Sequence, residues 1–225
     1  MKVIYEDNHI IIVNKECSEI VQGDKTGDIT LLDIVKSYIK EKYNKPGEVF
    51  LGLVHRLDRP TSGIVVFART SKALTRLNQM FKDKEVKKIY YAVVDKLPPK
   101  NEDTLTHFLL KNEKQNKSYA SDNEKNGSKK SSLTYKLISN SDKYYLLEIE
   151  LHTGRHHQIR AQLATINCRI KGDLKYGFPR SNKDGGIHLH AGKIEFIHPV
   201  SKKLIKLEAN PPDDVLWNEF FKNRN

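Results

Sequence analysis

A chain of 225 residues can bury a sizeable core, and its 39 basic against 28 acidic side chains leave a net charge of +11, which favours polyanionic partners and makes nucleic acid the leading class. Its two cysteines, Cys17 and Cys168, give neither a disulfide framework nor a paired metal-ligand spacing, and fit a reducing compartment. No apolar run approaches the ~18 residues of a membrane span, and the basic residues are scattered rather than gathered for a membrane surface, so the chain reads as cytoplasmic.

The elements follow in order. Two short β-branched runs within residues 3–13, around Glu6-Asp7-Asn8, predict a hairpin or bent strand pair, with no separate module ahead of it. Residues 23–28 read as a loop. Thr30 then caps a helix whose apolar positions Leu31, Ile34, Val35, Tyr38 and Ile39 follow the 3.6 period, ending near Asn44 and Pro46. An apolar approach over 49–54 and a buried strand over 64–68 bracket a polar loop. Ser71 is the expected cap of a second helix with Ala73, Leu74, Leu77, Met80 and Phe81 on one face. Residues 88–94 read as a strand, Tyr90 and Ala92 on one face and Tyr91 and Val93 on the other.

From Lys111 to Ser132 the chain turns polar, with six lysines, three acids and only Tyr119 and Ala120 as apolar interruptions, so a flexible basic hairpin or loop is predicted, either gripping a polyanion or idle in solvent. Residues 133–138 and 144–151 alternate as an antiparallel pair. Residues 151–160 read as a strand end, a turn and a helix start, with Ile159, Leu163 and Ile166 inward and His156 and Arg160 one turn apart on another face. After a turn-rich connection at 170–177 come strands from His188 to Phe196 and over 204–207. A final helix within 211–221 turns Val215, Leu216 and Phe220 inward, with Trp217 in the core.

The chemistry concentrates at His55-Arg56-Leu57-Asp58-Arg59-Pro60-Thr61-Ser62-Gly63. One carboxylate sits between two arginines that stay charged at any accessible pH and favour its ionised form as a nucleophile or base. Pro60 and Gly63 shape the loop around it. The local chemistry equally admits a surface ion-pair cluster.

The nine-residue string resembles the HRLDxxTSG loop of the RluA family of pseudouridine synthases, whose catalytic aspartate falls at Asp58. The rest of the chain agrees. Lys88-Ile89-Tyr90-Tyr91-Ala92-Val93 is similar to the family's second motif, which places the base-packing tyrosine at Tyr90. Thr153-Gly154-Arg155-His156-His157-Gln158-Ile159-Arg160 resembles TGRxHQIR, whose last arginine pairs with the aspartate and maps onto Arg160, its planar fork fitting a two-pronged grip. Residues 170–177 resemble IxGDxxYG, with no separate chemistry expected, and 188–199 resemble the LHA...FxHP ending, with Leu189 near the base. His156 departs from the commoner threonine, and Lys15-Glu16 from the usual Lys-Pro.

The resemblance implies an α+β fold: a mixed, largely antiparallel central sheet with flanking helices, one catalytic domain over 1–225, and isomerisation of uridine to pseudouridine in ribosomal or transfer RNA. Asp58, Tyr90 and Arg160 would be catalytic, with Arg56, Arg59, Thr61, Arg155 and Leu189 contacting substrate. No cofactor, metal, membrane or obligate protein partner is implied, and a monomer is expected to recognise RNA through the catalytic domain itself. Two other readings rest on residues alone. A metallohydrolase would use His152, His156, His157, His188 and His190, which lack an HExxH pattern or carboxylate-rich partner. A non-catalytic RNA-binding module would need only the charge, and leaves the arginine-flanked aspartate without a purpose.

Overall fold

The computed structural model describes residues 1–23 and 27–221; residues 24–26 of the expected 23–28 loop lie outside the described residues. Strands β1 (Lys2–Glu6) and β2 (Ile10–Lys15) form the opening hairpin, its turn closed by the Asp7 carboxylate, which accepts from the His9 and Ile10 amides at 2.8 Å. Helix α1 (Leu31–Lys42) starts at Thr30 in a reciprocal capping box with Asp33 and buries Leu31, Val35 and Ile39. The two-residue strand β3 (Gly52–Leu53) is all that remains of the predicted approach, and it pairs with β4 (Ser62–Ala68).

Helix α2 (Ser71–Lys82) is capped by Thr70 rather than Ser71. Thr70 keeps extended backbone angles and its hydroxyl accepts from the Ala73 amide, leaving Ser71 to open the helix. The helix stops in a 6→1, 5→2 bond pair, Glu85 N to Met80 O and Lys84 N to Phe81 O, with Lys84 at φ 63° where glycine is commoner. Strands β5 (Lys87–Val94), β6 (Glu102–Asn112), β7 (Lys117–Ser121), β8 (Lys129–Asn140) and β9 (Tyr145–Leu151) follow. Helix α3 (Gln158–Thr165), a 3-10 turn at Leu174–Tyr176, β10 (Leu189–Ile197), β11 (Leu204–Glu208) and α4 (Val215–Phe221) complete the described chain.

Among the described residues eleven strands make one sheet in the order β1-β2-β4-β10-β5-β9-β8-β6-β7, with β11 on β10 and β3 on β4; its strand pairs are antiparallel except β4–β10. The expected mixed, largely antiparallel α+β sheet is therefore what forms. Strands β2 and β4 read as unbroken apolar runs because both faces are covered: Ile11, Val13, Val65 and Phe67 join α1 and α3, while Ile10, Ile12, Ile64 and Val66 join α2 and β11. Gly63, at φ 118°, lies so close to Ala191 that a Cβ there would overlap the Ala191 backbone, so this glycine lets β4 meet β10 at mid-sheet.

Two further expectations change. The segment 111–132 is largely strand: β6 runs to Asn112, β7 pairs back along it, and β8 begins at Lys129. Its few apolar groups suffice because it extends an existing ladder, and because Ala120 packs with Leu109, Ala161 and Tyr176 while the amide of buried Ser118 donates to the Tyr176 hydroxyl at 2.9 Å. In α4, Trp217 and Phe220 are the buried residues and Leu216 is partly buried, whereas Val215, the first helical residue, is 87 % exposed.

Candidate active site

The loop between β3 and β4 is pinned at successive residues, so its charged side chains are presented rather than mobile. His55 accepts the Val66 amide on Nε2 at 3.2 Å and stacks on Phe81 with centroids 4.9 Å apart, and Leu57 is buried in the core. The Arg59 carbonyl accepts from the Ser18 amide at 3.0 Å and from Lys15 Nζ at 3.1 Å; Lys15 also donates to the Glu16 and Glu19 carbonyls at 2.8 Å. Lys15 is fully buried, and that burial pushes its ammonium down to about 8. The Pro60 carbonyl takes the Ile187 amide at 2.9 Å, and the Asp58 carbonyl takes the Thr61 amide at 3.0 Å.

Asp58 reaches Arg160 Nη1 with Oδ2 at 3.0 Å, and His157 Nε2 lies 3.6 Å from the same oxygen. The two-pronged grip expected between Arg160 and Asp58 goes elsewhere. Arg160 Nε and Nη2 bind the two oxygens of Asp173 at 2.7 and 2.8 Å, leaving one arm of the fork for Asp58. The reason is geometric: α3 starts at Gln158 and turns Arg160 into the protein, 5 % exposed, where the 170–177 connection supplies a carboxylate that is 1 % exposed. Burial opposes the Arg160 charge, but hydrogen bonding and attraction from Asp173, then Asp58, raise its pKa further. The guanidinium is a fixed cation aimed at Asp58.

His157 is a left-handed residue ahead of α3 and is kept neutral, its imidazole pushed down to about 2 by burial and then by Arg160. Its Nδ1 lies 3.1 Å from the Tyr176 hydroxyl, which donates to the Ser118 carbonyl at 3.0 Å, and the Arg160 guanidinium stands 5.1 Å from the Tyr176 ring centre. His156 precedes the helix, so it does not share a helical face with Arg160; it stacks on His157 at 3.8 Å and contacts Ser118 Oγ and Asn116 Oδ1. Asp173 and Tyr176 were missed in the sequence. The available signal was a lone acid in the turn after Gly172, together with the need of a buried, multi-armed arginine for more than one acceptor.

A cavity of about 100 Å³ lies over Asp58, lined among others by Arg56, Thr61, Tyr90, Arg155, Arg160 and Leu189. Tyr90 on β5 and Leu189 on β10 are buried, from neighbouring strands, and burial followed by the Asp58 charge raises the Tyr90 phenol, which stays protonated. The Thr61 hydroxyl is buried and has no partner among the described residues. Arg56 and Arg155 are exposed at the rim. Arg59 alone of the predicted site residues does not line the cavity; it turns outward to Asp28 at 2.8 Å. The cavity opens into a groove of about 630 Å³ that continues past His152 and His156 to the end of α2.

The five histidines of the metal reading have separate engagements. His152 contacts Thr134, His156 and His157 stack beside Ser118 and Tyr176, His188 faces Asp214 at 3.0 Å, and His190 contacts Ser62 and the Ala209 carbonyl. Among the described residues no group of three or more His, Cys, Asp or Glu could hold a metal ion, and no helix is long and apolar enough to cross a membrane.

This architecture is that of pseudouridine synthases: the solved structure titled Human RNA Pseudouridylate Synthase Domain Containing 4 matches with a TM-score of 0.82 at 21 % identity, covering 97 % of this chain and 92 % of that one. The family described as RNA pseudouridylate synthase matches residues 9–165. Ribosomal large subunit pseudouridine synthase C of Buchnera aphidicola subsp. Baizongia pistaciae is 32 % identical, over 98 % of this chain and 70 % of that protein. The protein of the same name from Rickettsia prowazekii is 34 % identical, over 93 % and 68 %. The chain belongs to the RNA pseudouridylate synthase family, within its RluA branch, and is an isomerase acting on RNA.

Proposed function

We propose that this enzyme converts uridine to pseudouridine in large-subunit ribosomal RNA, with Asp58 as the catalytic carboxylate, Arg160 as its partner and Tyr90 in the pocket. The observation that carries the reading is the chain of contacts Asp58–Arg160–Asp173 beneath a cavity walled by Tyr90 and Leu189. The relatives' names, which specify the large ribosomal subunit, support the substrate.

The reaction breaks the bond from the ribose anomeric carbon to uracil N1 and joins that carbon to C5. C5 loses a proton and N1 gains one, so atoms balance without a cofactor. The uridine must leave its stack, and an apolar aromatic pocket offsets part of that cost. A cavity near 100 Å³ is on the scale of one ring, since a ~150 Å³ apolar cavity accepts benzene. Tyr90 and Leu189 would pack the base, and the unpartnered Thr61 hydroxyl would take a hydrogen bond from or to it. Arg56 at the rim would help fill the space the nucleotide vacates, with Arg155 holding adjacent backbone. Asp58, aimed by its 3.0 Å contact to Arg160, then acts by adding to the anomeric carbon, by adding to the ring, or by taking a ribose proton. All three routes place one carboxylate oxygen against the extruded nucleoside.

The reading includes action as a monomer in the cytoplasm, through one domain. Its test is to map pseudouridines in total RNA from cells with and without the gene. Loss at one or a few positions of large-subunit ribosomal RNA is expected; loss confined to transfer RNA would move the substrate, and an unchanged map would overturn the reading.

A further inference from the structure

The groove leading from the cavity carries basic residues of two kinds. Arg56 and Arg155 stand at the rim of the Asp58 cavity, while Lys82, Lys84 and Lys88 line the far end, beside Phe81 and His55. Among the described residues none of these three lysines has a carboxylate within salt-bridge distance. Lysines without a carboxylate partner are common on this chain; what sets these three apart is that they line one groove continuous with the Asp58 cavity, whereas Lys42, Lys87, Lys100, Lys111, Lys136, Lys193 and Lys206 each pair with a carboxylate. The helix C-terminus favours cations and accounts for Lys82. It does not account for Lys88, which sits on β5, two residues before Tyr90 and on the same face, is half-buried, and has its ammonium pulled down by that burial. An unpaired, partly desolvated ammonium is a cost that a bound anion relieves. The same helix end favours Lys84, one residue beyond the cap, so Lys88 is the cation of the three that the helix does not explain.

The aromatic groups complete the picture. Phe81 is partly exposed, with Lys88 Nζ 5.5 Å from its ring centre, and its ring is braced by His55, whose own Nε2 accepts the Val66 amide. A braced ring beside three cations that have no carboxylate partner is the composition of a site for single-stranded nucleic acid, with a base against the ring edge and the phosphates on the lysines. The groove volume of about 630 Å³ exceeds that of the inner cavity severalfold and has room for more than the extruded base. Because His55 begins the loop that carries Asp58, this end of the groove is rigidly tied to the catalytic carboxylate.

We propose that Phe81, Lys82, Lys84 and Lys88 form a subsite for the single-stranded nucleotides that flank the target uridine, the lysines binding successive phosphates and Phe81 contacting a flanking base. The subsite rests on the reading of Asp58 as the catalytic centre for RNA and extends it by fixing one direction in which the RNA strand leaves.

The test compares wild type with Lys82→Gln/Lys84→Gln/Lys88→Gln, using an unmodified large-subunit ribosomal RNA transcript as the probe. Pseudouridine formation is assayed first at saturating enzyme, then affinity across a salt series, with thermal melts to confirm both proteins are folded. The triple variant should bind more weakly and lower the slope of log affinity against log salt by about 2, from three single-strand contacts at roughly 0.7 each, while modifying the same uridine at saturation. A charge-reversed set, Lys82→Glu/Lys84→Glu/Lys88→Glu, should lose affinity further. If wild type modifies the transcript and both variants bind it with wild-type affinity and slope, the subsite is wrong and the active-site reading stands. If wild type modifies no RNA, that reading fails and takes the subsite with it.

Discussion

The sheet has two charged concave surfaces, built from alternate residues of the same strands. On β5, Lys88 and Tyr90 face the groove that holds Asp58, while Lys87 and Ile89 face a second hollow of about 410 Å³ on the other side. That second hollow is rich in charge, yet its lysines are met by acids: Lys87 with Glu150 at 3.5 Å, Lys193 with Glu208 at 2.8 Å, Lys206 with Glu195 at 3.1 Å and Lys136 with Glu102 at 3.8 Å. The groove instead gathers Arg56, Arg155, Lys82, Lys84 and Lys88 around one carboxylate of its own lining, Asp58. Charge that is cancelled locally keeps a surface soluble, whereas charge left uncompensated draws a polyanion. The net +11 is therefore informative about function only once its location is known.

The largest effects are expected on the groove side. Asp173→Asn removes the buried acid that takes two arms of Arg160, and stranding a buried cation in this way costs roughly 3–5 kcal/mol. Denaturant unfolding should show that loss together with loss of turnover; unchanged stability would mean that Asp58 alone satisfies the arginine. Arg160→Lys keeps the charge but cannot span both acids, and turnover should drop on the order of 10²-fold through misplacement of Asp58. Wild-type rates from Arg160→Lys would reduce the contact to simple charge attraction.

Acid should then loosen the site. Burial is the leading cause in each of His55, His157, His188 and His190, whose imidazoles are pushed down from 6.5 to about 3, 2, 4 and 4. Below about 6.5 the unfolded chain binds protons that the folded one refuses, so this contribution to stability is complete above that pH and falls as pH drops from 6.5 through 4 for His188 and His190, and on toward 3 and 2 for His55 and His157. The loss is at most about 1.4 kcal/mol per pH unit for each such group. Urea titrations at pH 7.5, 5.5 and 4.5 should show stability declining in that order; a flat profile would mean that these rings protonate without penalty. The smallest effect belongs to the opposite hollow. Lys87→Gln/Lys193→Gln/Lys206→Gln removes exposed pairs that each contribute about 0–1 kcal/mol, and RNA affinity and its salt slope should not change. A lowered slope would show that RNA also uses this face.

Much of this was legible in the chain because local signals and tertiary demands coincide. The Thr30 cap, the unbroken apolar runs of β2 and β4, and the alternation of Tyr90 and Tyr91 on β5 follow from short-range rules. Arg56, Asp58 and Thr61 of the loop line one cavity with Tyr90, Arg155, Arg160 and Leu189 from three later motifs. What escaped depends on partners distant in sequence. Arg59 looked equivalent to Arg56 beside Asp58, but with its carbonyl bound by Lys15 and Ser18 its side chain meets Asp28. Asp173 gained its role only when α3 buried Arg160 against it, and the lysine-rich stretch became β7 and the start of β8 only because β6 was there to pair with. The two faces of β5 are distinguishable in sequence, but which of them has acids opposite its lysines is decided by β9, β10 and β11.

The most direct test of the account uses Asp58→Asn, which keeps size and loop shape while removing the ionised oxygen. RNA binding by wild type and variant is measured on the same unmodified transcript, and pseudouridine formation is followed under single-turnover conditions with enzyme in excess. The account predicts comparable affinity and cooperative unfolding for both proteins, with pseudouridine formation in the variant lower by several orders of magnitude. Pseudouridine formed by purified Asp58→Asn at a rate near that of wild type would contradict it.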